Sequence, residues 1–92
     1  MQHPELQRLV DAHEKAEREL RESGLIVWAE LVRAEPELAA DILGLVETPE
    51  AAARWATSGF RELGGSPARH AAEGRAQTIM SIVRKTDHGF VG

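Results

Sequence analysis

Four prolines limit what this chain can build. Proline has no backbone N–H and its ring collides with the preceding turn. It is therefore excluded from helix interiors and central strands, yet it suits the first position of a helix. Pro4, Pro36, Pro49 and Pro67 each head a segment whose apolar residues recur at helical spacing. Thr48 and Ser66 precede two of them, and a hydroxyl there can accept from a free N–H one turn on. Glycines follow the segments as stops: Gly24, Gly44, Gly59, Gly74 and Gly89. Period-two alternation is nowhere sustained and β-branched residues are scattered, so no strand is expected.

The spacing predicts a first helix from Pro4 to about Ser23, ended by Gly24. Leu6, Leu9, Val10, His13, Ala16 and Leu20 fall on one face, which is expected to be its buried side. Leu25 to Ala34, carrying Trp28, Leu31 and Val32, reads as a second helix and as the most buried one. Pro36 opens a third, with Leu38, Ala39, Ile42 and Leu43 before Gly44. Thr48–Pro49–Glu50 opens a fourth that runs through Trp55 and fades at Ser58–Gly59. Phe60 and Leu63 are expected to plug the core from the connection. Ser66–Pro67 starts a short helix that Gly74 stops. A last helix, from about Arg75 to Lys85, faces Ala76, Ile79, Met80 and Val83 inward, and Gly89 precedes an apolar end, Phe90–Val91–Gly92. The expected fold is all-α: a small single-domain bundle of five to six short helices. Residues 1–47 form its N-terminal helices and 48–92 a second region packed with them as one domain, since 92 residues close a single core.

Composition narrows the function classes. The chain has no cysteine, which excludes disulfides, thiolate metal sites and cysteine nucleophiles. No apolar run approaches the ~20 residues needed to span a bilayer, and MQHPELQR lacks the basic and apolar blocks of a signal peptide. A cytoplasmic protein is expected. The formal charge of −4 is uneven: residues 1–60 hold six Lys/Arg against twelve Asp/Glu, and residues 61–92 hold five against three. Duplex DNA binders gain much of their affinity by neutralising phosphate, so the acidic front two-thirds argues against tight DNA binding by this chain alone. Leu25–Ala34 and Pro36–Leu43 could imitate a helix-turn-helix. The second of these, however, carries Glu37 and Asp41 and no Lys, Arg, Asn or Gln to read bases.

Catalytic signatures fail on their residues. His13–Glu14 begins like a zinc-protease helix, but Glu17 stands where the second imidazole is needed. Gly64–Gly65–Ser66 has no following Lys-Ser/Thr to hold phosphate and magnesium, and reads as a turn plus N-cap. Asp87–His88 are adjacent, a poor arrangement for a hydrogen-bonded dyad, and no nucleophile is marked out to complete one. His3 and His70 have no evident partners. Trp28 and Trp55 read as core residues. No enzyme activity, metal or cofactor is expected.

Taken in order, one set of residues carries a family resemblance. Trp55 closes a helix; Leu63–Gly64–Gly65 and Ser66–Pro67 follow; Gly74 comes seven residues after Pro67; Ile79, Met80 and Val83 line the next helix; and His88–Gly89–Phe90–Val91 end it. This run of about 45 residues, from Thr48, resembles the toxin-binding domain of the Xre–MbcA–ParS antitoxins. The resemblance implies the antitoxin of a type II toxin–antitoxin system, part of a bacterial stress response, that neutralises a RES-domain toxin acting on NAD⁺. It also implies that the C-terminal end blocks the toxin's cleft, which puts Arg84, Lys85, Asp87, His88, Gly89, Phe90, Val91 and Gly92 at the toxin contact. The chain departs from the family in its first 47 residues, which are acidic and replace an operon-repressing helix-turn-helix. They are expected to serve folding or dimerisation, consistent with a homodimer or a higher hetero-oligomer. Two other functions fit an all-α chain of this kind: a DNA-binding autorepressor, and a helical protein-interaction module without a toxin.

Overall fold

The computed structural model describes residues 2–89, with the backbone alone for Glu62 and for Asp87, His88 and Gly89. Five α-helices and one 3₁₀ turn account for almost all of it: α1 (Pro4–Ala34), α2 (Pro36–Val46), α3 (Pro49–Thr57), the turn Arg61–Leu63, α4 (Pro67–Ala72) and α5 (Ala76–Gly89). No strand occurs among the described residues. The nearest approach to one is a single antiparallel bridge, Phe60 to Gly65. The fold is all-α with one core.

Every proline occupies the start of a helix, as its chemistry requires. Two of the starts are capped as expected. The Thr48 hydroxyl accepts from the Ala51 N–H at 3.1 Å, and Ser66 Oγ accepts from the Arg69 N–H at 3.0 Å.

The glycines behave less uniformly. Gly64 and Gly74 adopt φ of +70° and +83°, the left-handed conformation that favours glycine where a chain must turn. Gly24 stops nothing. The two helices expected to flank it are one helix of 31 residues, about 46 Å long at 1.5 Å per residue. A lone interior glycine costs only about 1 kcal/mol against alanine, and neither a proline nor a cap residue sits beyond it to start a new helix. Gly44 is also passed. Helix α2 continues to Val46 and ends at Glu47, whose φ is +76°.

The core is built by Trp28 and Leu31 of α1, Leu38, Ala39 and Ile42 of α2, Ala52, Ala53 and Ala56 of α3, and Ala76, Ile79, Met80 and Val83 of α5. Leu38, Ile42 and Ile79 are completely buried. Pro67 of α4 is also buried, while Leu63 and Trp55 pack half-buried against the cluster. Phe60 is half-buried and lies against Trp55, ring centroids 5.5 Å apart and tilted by 51°. The plug expected from Phe60 and Leu63 is therefore a lid at the rim of the core.

The largest departure from expectation concerns α1. Its supposed buried face is bare: residues 2–23 are exposed without exception. Nor is Leu25–Ala34 the most buried segment, because only Trp28 and Leu31 reach the core while Leu25, Ile26, Val27 and Val32 stay open to solvent. The physical reason is length. Helices α2 to α5 have 6 to 14 residues, which is too short to flank a helix of 31 along its whole length. The first half of α1 therefore projects as an arm, and the molecule measures 53 × 32 × 24 Å.

Candidate interaction surfaces

Of the C-terminal residues singled out in the sequence, Arg84 and Lys85 are described with their side chains. Arg84 Nε donates to Asp41 Oδ2 at 2.8 Å, so its charge ties α5 to α2. Lys85 is exposed on the last turns of α5. Asp87, His88 and Gly89 continue that helix, beyond the expected end at Lys85, while their side chains lie outside the described set. Phe90, Val91 and Gly92 lie outside the described residues.

His70 has partners that its sequence neighbours did not reveal. From the middle of α4 its Nε2–H donates to the Leu63 carbonyl at 2.8 Å, and its Nδ1 accepts from Arg75 Nε at 3.1 Å. Arg75 also pairs with Glu73, and its backbone N–H donates to the His70 carbonyl at 2.8 Å. The imidazole thus joins the 3₁₀ turn, α4 and the start of α5. Its spacing of seven from Leu63 spans a loop, so no helical periodicity could have pointed to it.

Elsewhere the ionic chemistry is superficial. Glu5 pairs with Arg8 and Glu30 with Arg33, each one turn apart on α1. The guanidinium hydrogen bond holds each carboxyl below its ordinary value. These groups are fully exposed, and such pairs contribute little to stability. Among the described residues there is no buried polar or charged side chain and no cluster of three metal-ligating residues.

Two grooves flank α1. One, of about 510 Å³, lies between its second half and α4 and is lined by Ile26, Val27, Leu31, Ala68 and Ala71, with Glu30 and Glu35 at its edge. The other, of about 350 Å³, lies at the root of the arm between α1 and α3, with Leu20, Gly24, Ala53 and Thr57 on its floor and Glu17, Arg21, Glu50 and Arg54 around it. Beyond it the arm presents Leu6 and Leu9, which are 58% and 51% exposed, and Leu20 in the groove itself is 74% exposed. These surfaces can hold apolar side chains.

Comparison of the chain with protein-family models, with curated proteins and with solved structures finds no match. Among the described residues, no helix is long and apolar enough to cross a membrane.

Proposed function

We propose that this chain acts by binding another protein and not by catalysis, as the antitoxin of a RES-domain toxin in a cytoplasmic type II toxin–antitoxin system. The observation that supports the reading most is the order of the resembling elements along one continuous half of the fold. Trp55 closes α3; Leu63–Gly64–Gly65 makes a left-handed turn; Ser66 caps α4 ahead of Pro67; Gly74 makes the second left-handed turn; and Ile79, Met80 and Val83 are the buried stripe of α5. Each of these residues thus has a structural role at its position. The inhibitory element in this proposal is the end of the chain from Lys85 to Gly92, entering the toxin's NAD⁺ cleft, with Phe90 as its apolar anchor. Arg84 serves as the fixed point from which it departs, since it is held by Asp41.

The alternative of a DNA-reading autorepressor finds little support. Helix α2 holds Glu37 and Asp41 and contains no Lys or Arg, so phosphate would repel it.

The test is deletion of residues 89–92, with the neutralisation of a co-expressed RES-domain toxin and the thermal melt of the variant both measured. The expected result is an unchanged melt with loss of protection, since removing a central aromatic anchor costs about 2 kcal/mol or more of binding. A truncated chain that folds normally and still protects cells overturns the role of the tail. Failure of the full chain to bind any RES-domain protein overturns the antitoxin reading. Tight, strongly salt-dependent binding of the isolated chain to duplex DNA would favour the autorepressor instead.

A further inference from the structure

The arm of α1 needs a covering, and the chain itself supplies one. We propose that two copies dimerise through this arm, laid antiparallel, with Leu9, His13, Ala16 and Leu20 of each copy against the same residues of the other, Leu6 over the groove beside Gly24 and Val10 at the flank. The inference is independent of the antitoxin reading.

Helix stability is the first argument. A lone helix of about 12–15 residues is marginal in water, and most helical stability in proteins comes from packing of the apolar face. Pro4 to about Ala16 projects beyond α3, with only surface pairs one turn apart to support it. Its apolar face continues the face that reaches the core, because Leu20, Gly24, Trp28 and Leu31 follow one another by steps of four, four and three. The stripe is thus a core face whose other wall is missing.

Area and layout identify that wall as a second copy. Four large side chains per copy, at roughly 60–120 Å² each, bring on the order of 700 Å² of apolar surface from two copies. At the ~65% apolar share of homodimer contacts, the whole interface comes to about 1,100 Å², just past the ~1,000 Å² that a specific contact needs.

The stripe is also bulky at both ends and small in the middle. Laid antiparallel about a two-fold axis between Glu14 and Lys15, Leu9 of one copy meets Leu20 of the other. His13 meets Ala16, and Leu6 arrives over the groove beside Gly24. The flanking carboxylates then face uncharged residues, Glu17 toward Val10 and Glu19 toward Ala12. A parallel dimer would stack His13 on His13 and bring both copies' α3, which flanks this face from Glu17 onward, to the same end of the pair.

Sedimentation velocity of the full chain from roughly 1 to 200 µM tests the dimer. The expected result is a concentration-dependent shift from 10.1 kDa to twice that mass. Leu9→Glu and Leu20→Glu alter residues exposed in the single chain, so the bundle keeps its melt. Each change counts twice in a symmetric contact and should raise the dissociation constant about 100-fold or more. Arg18→Ser, on the opposite face, should leave association unchanged. Because the chain has no cysteine, a mixture of His13→Cys and Ala16→Cys chains reports direction: the mixed disulfide is expected to dominate over either homodisulfide. A monomer throughout the range, or a dimer indifferent to both glutamates, overturns the interface. Predominant homodisulfides overturn its antiparallel sense.

Discussion

Gly24 and Trp28 lie one turn apart on the same face of α1 and illustrate how differently two core-facing residues can respond to change. Trp28 is 7% exposed, so Trp28→Ala removes a large buried volume that the short surrounding helices cannot refill. The expected loss is about 3–5 kcal/mol, read as a fall in the chemical-denaturation midpoint. A near-unchanged midpoint would remove Trp28 from the core. Gly24 should respond in the opposite direction. A Cβ there would meet only Thr57 Oγ1, at 3.7 Å, an ordinary contact, and the residue sits inside a helix. Gly24→Ala is therefore expected to raise stability by about 0.5–1 kcal/mol through helix propensity alone. A destabilised variant would mean that α3 packs closer to α1 than the structure has it. In the sequence Gly24 reads as a stop signal, because local chemistry cannot tell a glycine that ends a helix from one that a continuing helix tolerates.

The proline-headed helix starts were legible, as were the ends of α1, α3 and α4, while the expected start at Leu25 and the ends of α2 and α5 were not. A start is announced by a residue pair, Thr48–Pro49 or Ser66–Pro67, whose hydrogen bond is made within one turn. Those two ends depend on what lies beyond: α2 runs on past Gly44 to Val46, and α5 continues past Lys85 to Gly89. Burial was legible for the short helices. The inward stripes of α2 and α5, Leu38–Ala39–Ile42 and Ala76–Ile79–Met80–Val83, are buried as their spacing predicts. The stripe of α1 has equally good periodicity and stays bare, because periodicity shows that a face wants cover and says nothing about whether the same chain can provide it. His70, with partners seven residues before and five after, was illegible for a related reason: its contacts cross two turns. The junction it serves depends on the cap just ahead of it. Ser66→Ala leaves the Arg69 N–H without its acceptor and is expected to cost about 1 kcal/mol, with the loss seen in amide exchange at the start of α4. Unchanged exchange there would show that solvent satisfies this N–H equally well.

At the scale of the whole molecule, the radius of gyration is 16.4 Å, against about 12 Å for a compact chain of this length. The excess is the arm. The bundle holds α1 by Trp28 and Leu31, and the arm is the unbroken continuation of that grip. Its helical phase is therefore inherited from the core, like the angle of a shaft clamped at one end. One residue inserted near Ser23 would rotate Leu6, Leu9 and Leu20 by about 100° around the axis while the bundle stayed as it was, and seven would return them to within about 20° of their starting direction. The direction in which the arm's leucines look is thus set at the clamp, some 20 residues away from the first of them.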